Sequence, residues 1–96
     1  MPVRRKVIVK GALQGAGYLE QAQVVARNLG VSGWMRNASN GDVEACFEGD
    51  EGAVYAILAW CFIGPERSRV EQVIIRNTPH RGRFRELTIR EARQAA

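Results

Sequence analysis

Long apolar runs are missing from this chain. No stretch approaches the ~20 residues a helix needs to cross a bilayer, so a membrane-spanning helix is not expected. The basic opening Met1-Pro2-Val3-Arg4-Arg5-Lys6 is not followed by an uninterrupted apolar segment, and a signal peptide is not expected either. Cysteine is scarce: Cys46 and Cys61 lie too far apart for a CxxC motif and read as free thiols rather than a bridge. These features together predict a cytoplasmic protein. Histidine occurs once, as His80 in a Thr-Pro-His-Arg loop, and aspartate only at Asp42 and Asp50. No Ser-His-Asp arrangement and no Cys/His metal spacing can be drawn from that stock. Neither cysteine has a neighbouring base in sequence to activate it as a nucleophile. Internal repeats and low-complexity segments are also missing.

What remains is an ordinary globular composition, 46% hydrophobic and 25% charged over 96 residues, predicting one domain over 1–96. The net charge of +4 could steer anions, but the basic residues are spread along the chain and read as a solvated surface.

In chain order, Val3, Arg5, Val7 and Val9 alternate with Arg4, Lys6, Ile8 and Lys10, the period of a strand. Leu19, Ala22, Val25, Ala26 and Leu29 recur at helical spacing, with Gly30 as the stop. Val31 to Asn37 and Asp42 to Glu48 predict a hairpin about the Asn40-Gly41 turn, with Glu44, Cys46 and Glu48 on one face. Asp50 is placed to cap a second helix, striped by Val54, Ile57, Leu58 and Cys61 and stopped by Gly64-Pro65. Val70 to Arg76 predicts a fourth strand with Val70, Val73 and Ile75 inward. Asn77 to Arg83 predicts a loop and Phe84 to Arg90 a last strand, with a fraying tail over 91–96. The order βαββαβ is the ferredoxin-like α+β sandwich: an antiparallel sheet with two helices on one face, a partly wet opposite face, and a short extra C-terminal strand.

Between the first strand and the first helix lies Gly11-Ala12-Leu13-Gln14-Gly15-Ala16-Gly17-Tyr18-Leu19. A glycine-rich strand-to-helix turn can aim its amides inward at the positive end of the helix dipole, where a phosphate or carboxylate fits. By itself the spacing suits a plain turn equally well. It is neither a Walker loop, since no Gly-Lys-Ser/Thr ends it, nor a dinucleotide fingerprint.

The same residues resemble the acylphosphatase signature G-x-V-Q-G-V-G-F-R. The likeness extends through Ala26-Arg-Asn-Leu-Gly-Val-Ser-Gly-Trp-Met-Arg-Asn37, then Asn40-Gly-Asp-Val-Glu44, and Trp60-Cys-Phe-Ile-Gly-Pro65 with Val70 and Val73. The resemblance implies hydrolysis of the mixed anhydride between a carboxylic and a phosphoric acid, with no metal and no organic cofactor. It implies that the loop Gln14, Gly15, Ala16, Gly17, Tyr18 and Leu19 holds the phosphate and that Asn37 positions the attacking water. The partner would be a small acyl phosphate or inorganic phosphate, with no membrane, and the protein a monomer or weak dimer.

Leu19 departs from the signature, standing where the family carries a phosphate-clamping arginine, and Glu20, Gln21, Ala22 and Gln23 offer no replacement. A guanidinium fork meets two phosphate oxygens at once and a leucine meets none. Such an arginine can be worth about 10³ to 10⁵ in rate, so weak or absent turnover is expected. Arg4, Arg5, Lys6, Arg36, Arg81 and Arg83 are the candidates for a remote replacement. Leu19 equally extends the first helix's apolar stripe, and Asn37 equally suits local backbone bonding before a turn. Tyr18 is expected to pack against the helix, with a hydroxyl contact to ligand as the lesser option. Phe62 and Ile63, where the family is usually polar, either cap the core or form an exposed patch.

Two other functions compete with hydrolysis. One is a catalytically silent phosphate-binding or regulatory module on the same scaffold. The other is nucleic-acid binding, which is not expected because the strands lack stacked aromatics.

Overall fold

In the computed structural model, which describes residues 1–92, the alternating start of the chain forms strand β1, Pro2–Ala12. Helix α1 spans Tyr18–Leu29, β2 Ser32–Asn37, β3 Val43–Asp50, α2 Glu51–Ile63, β4 Arg69–Thr78 and β5 Leu87–Ile89. The sheet order is β4-β1-β3-β2-β5, so β1 is interior, flanked by antiparallel β3 and β4. The fold is the ferredoxin-like sandwich the pattern predicts.

Period two puts Val7 and Val9 of β1 on the same side as Met35 of β2 and Val43, Ala45 and Phe47 of β3, all at most 2% exposed. Against them α1 sets Tyr18, Leu19, Ala22 and Ala26, and α2 sets Val54, Ile57, Leu58 and Cys61. Each large apolar side chain removed from water here contributes about 1.5–3 kcal/mol. Val25, Leu29, Val70 and Val73 pack at the margin of this core, whereas Ile75 is 38% exposed.

Gly30 ends α1 as predicted: its N–H donates to the Arg27 carbonyl at 3.1 Å, and the Val31 N–H to that of Ala26 at 2.8 Å. Asp50 occupies the N-cap position of α2, but its side chain makes no capping bond; the Glu51 N–H donates instead to the Met1 carbonyl at 3.0 Å. Phe62 and Ile63 do not cap the core. They lie exposed on α2 with Tyr55, because the helix stripe that meets the sheet is already filled by Val54, Ile57, Leu58 and Cys61.

The largest departures lie at the C-terminal end. The last strand is only Leu87–Ile89, and it runs parallel to β2, with Gly33 opposite Leu87. Fully buried Leu87 anchors it. Residues 79–86 cross the helix-free face instead of joining the sheet. There the Arg81 N–H donates to Glu48 Oε2 at 2.8 Å, and the Arg4 guanidinium sits 5.3 Å from the Phe84 ring centre. Glu44, Cys46 and Glu48 do share that face, yet Cys46 and Glu48 are buried, so part of the expected wet surface is roofed. The tail expected to fray lies, over 93–96, outside the described residues.

Candidate active site

The register of β1 against β4 slips between Lys10 and Gly11, and the chain leaves the sheet at Ala12. The loop then turns into α1 through two left-handed glycines, Gly15 at φ 77° and Gly17 at φ 75°. Among the described residues no non-glycine residue has positive φ, so the sign of φ alternates along Gly15, Ala16, Gly17 and Tyr18. A side chain is strained at the two positive positions, which explains glycine at both. Alternation of this kind is the backbone geometry of an anion-binding nest.

Gly17 is the N-cap of α1 and carries no side chain to close it. The first intrahelical bond runs from the Gln21 N–H to the Gly17 carbonyl at 3.0 Å. Residues 14–17 form a turn, and among the described residues no short, well-aligned hydrogen bond claims the N–H groups of Gly15 through Glu20. These backbone donors cluster at the positive end of a 12-residue helix.

Asn37 ends β2 opposite Val43, at the same end of the sheet as this loop. The two meet in one cleft of about 680 Å³, lined by Leu13, Gln14, Gly15, Gly17, Tyr18, Leu19, Glu20, Asn37, Ala38, Ser39 and Ala92. Ala16 belongs to the loop but not to the cleft wall. The Asn37 amide has no hydrogen bond among the described residues, so local backbone bonding does not account for it. Turn chemistry falls to Asn40, whose Oδ1 accepts the Asp42 N–H at 3.0 Å.

The Tyr18 hydroxyl is already used. It donates to the Cys61 carbonyl at 2.8 Å, and the ring lies tilted 5.2 Å from that of Trp60, joining α1 to α2. Burial, reinforced by the neighbouring Cys61 thiol, pushes this phenol far above its usual range. Burial likewise raises Cys61 to about 11, and the neighbouring Tyr18 hydroxyl offsets part of that rise. Neither group is poised for proton transfer near neutrality.

None of the candidate cations lines the cleft. Arg4, Lys6, Arg36, Arg81 and Arg83 line grooves on the helix-free face of the sheet. Arg5 sits midway along β1 opposite Phe47 and Asn77, its guanidinium donating to the Arg4 carbonyl at 2.9 Å. Among the described residues the wall holds no cation and one carboxylate, Glu20. Leu19 is 6% exposed and packs in the core while bordering the cleft. Sequence reasoning overlooked Glu20 and Ser39 as wall residues. The signal for Glu20 was its place in the first helical turn, directly after the loop.

The family profile for acylphosphatase matches residues 5–94. An acylphosphatase of Geobacter sulfurreducens is 44% identical over 90 residues, covering 94% of this chain and 99% of that one. The crystal structure of acylphosphatase from Bacillus subtilis superposes with a TM-score of 0.87 at 25% identity, covering 91% of this chain and 97% of that one. An acylphosphatase structure from Coxiella burnetii gives 0.84 at 26%, covering 93% of each. With the glycine loop and Asn37 brought to one cleft of the ferredoxin-like sheet, this chain belongs to the acylphosphatase family.

Proposed function

We propose that the loop cleft binds phosphate and hydrolyses small acyl phosphates slowly, without metal or organic cofactor. In this reading the free amides from Gly15 to Glu20 cradle the phosphoryl oxygens, and the Asn37 amide orients a water in line with the phosphorus. The water oxygen forms the new bond to phosphorus as the bond to the acyl oxygen breaks. A carboxylate departs, and the water's proton leaves on the phosphate or to solvent. Preorganised donors of this sort each supply about 2.7–4 kcal/mol of transition-state stabilisation in a closed site.

Turnover is low because Leu19 stands where the family's arginine would neutralise the equatorial oxygens. The observation that carries this reading is a cleft lined by Gly15, Gly17, Tyr18, Leu19 and Glu20 at the start of α1, together with Asn37, but, among the described residues, by no cation. That same lack favours a second reading, an anion-binding module with no turnover. Glu20, a carboxylate on the cleft wall, weakens anion binding further in either case.

Hydrolysis of acetyl phosphate by the wild-type protein, Leu19→Arg and the double variant Leu19→Arg with Asn37→Ala tests both. A silent or slow wild type, about 10³-fold gain in Leu19→Arg and its loss in the double variant are the expected results. A wild type already at the level of its relatives would sink the reading of Leu19. Inactivity in both wild type and Leu19→Arg, with phosphate failing to raise the melting temperature of either, would sink the cradle itself.

A further inference from the structure

The basic residues that look scattered in sequence converge on the face of the sheet opposite the helices. Two grooves there, of about 510 and 290 Å³, share Lys6 and Trp34 and so form one continuous trough. Arg4, Lys6, Arg36, Arg76, Arg81, Arg83 and Arg90 line it: seven of the fourteen lysines and arginines in the chain. Two carboxylates answer them, Glu44 paired with Arg36 at 2.8 Å and Glu48 with Arg4 at 3.8 Å. Among the described residues no ion pair joins a carboxylate to the side chain of Lys6, Arg76, Arg81, Arg83 or Arg90.

The trough also has an aromatic centre, which the sequence reading discounted. Trp34 alternates with core-facing Met35, so its ring emerges on this side, with the guanidinium of Arg36 4.9 Å and that of Arg90 4.7 Å from its ring centre. Phe84 lies beside it on the 79–86 crossing. In the same wall Thr78 Oγ1 is buried with no hydrogen-bond partner. Nucleobases stack on aromatic rings and on arginine planes alike, while cations flanking such a platform hold the phosphates. An acidic peptide would use the cations but leave the Arg-Trp-Arg platform without a matching group.

We propose that this trough binds single-stranded nucleic acid, with bases on the Trp34 platform and phosphates along Lys6, Arg76, Arg81 and Arg83. The site is separate from the loop cleft and does not depend on hydrolysis there, since no residue lines both.

Fluorescence anisotropy with a labelled 12-nucleotide oligothymidylate, repeated with a 12-base-pair duplex and with thymidine monophosphate as competitor, tests the proposal. Contact with three or four phosphates predicts a loss of affinity of roughly 20- to 50-fold between 50 and 200 mM salt. Removing the platform in Trp34→Ala predicts about a tenfold loss. Because Trp34 is half-buried, the fully surface double variant Arg83→Ser with Arg90→Ser provides a second arm and predicts a shallower salt slope. Asn37→Ala should leave oligonucleotide binding unchanged. Absence of binding at 50 mM salt would overturn the proposal, as would binding untouched by both trough variants. A duplex bound as tightly as the single strand would reduce the trough to a charged surface. A monophosphate competing at the oligomer's own affinity would make the ligand a nucleotide and sink the single strand.

Discussion

Leu19 and Asn37 show how differently two residues lining one cleft can be constrained. Asn37 has an unbonded amide at a cleft wall, where local structure gives it nothing to do. Leu19 is 6% exposed in the core and is explained by packing alone. Buried titratable groups at the joint of the two helices make a separate prediction. Cys61 is raised from 9.0 to about 11 by burial, and Tyr18 is raised further still. A folded-state value above the unfolded one means stability is complete below pH 9 and is lost as pH rises towards 11, because the unfolded chain gives up its proton first. Urea unfolding at pH 8 and at pH 10.5 should therefore show wild-type stability falling, at up to about 1.4 kcal/mol per pH unit for Cys61. In Cys61→Ala, stability at pH 8 should be lower and the slope above pH 9 shallower. An equal slope in that variant would place the alkaline sensitivity elsewhere.

Among the elements, the 79–86 crossing has no helix or strand, and Glu48 is one of the side chains that tie it to the sheet. Glu48 is 1% exposed; its Oε2 takes the Arg81 N–H at 2.8 Å and faces Arg4 at 3.8 Å. Replacing it with alanine strands a guanidinium whose side chain is 14% exposed and releases the crossing, which should cost about 3 kcal/mol in chemical unfolding. Glu48→Gln keeps an acceptor for Arg81 and should cost less, with slower proteolysis at 79–86 than in the alanine variant. Equal losses in both would mean that the charge, not the hydrogen bond, ties the segment down. This crossing is also where the sequence was hardest to read. The first strand, both helix stripes and the Asn40-Gly41 hairpin are local patterns, and each lies where its pattern put it. The glycine loop and Asn37 were legible for the same reason, since a motif fixes their spacing. Phe84 to Arg90 alternates well enough for a strand, but only Leu87, Thr88 and Ile89 pair, because Leu87 finds a vacant edge beside β2. No window of sequence contains that edge. Nor does one contain the exposure of Phe62 and Ile63, which follows from which stripe of α2 the sheet accepts.

Across the whole molecule, charge is sorted by face in a way that sequence spacing conceals. Half the cations gather on the helix-free side, while the loop cleft has, among its described wall residues, only Glu20 as a charged group. Like charges a few ångströms apart oppose folding, and the Debye length shortens to ~10 Å at 0.1 M salt, so electrolyte should relieve part of that repulsion. The opposing term comes from ion pairs that salt weakens, which among the described residues include Arg4–Glu48, Lys10–Asp42, Arg27–Glu86 and Arg36–Glu44. Exposed pairs contribute only about 0–1 kcal/mol each, and Arg27–Glu86 is the most exposed of the four. Trough repulsion is therefore expected to win. Raising sodium chloride from 20 to 200 mM should stabilise the protein by about 0.5 kcal/mol, or roughly 2–4 °C in melting temperature for a chain of this length. Removing two of the trough's unpaired cations in Arg83→Ser with Arg90→Ser should raise the melting temperature at 20 mM and flatten its response to salt. A wild type that melts earlier as salt is added would show that the ion pairs outweigh the trough, and the face would then be electrostatically satisfied as it stands.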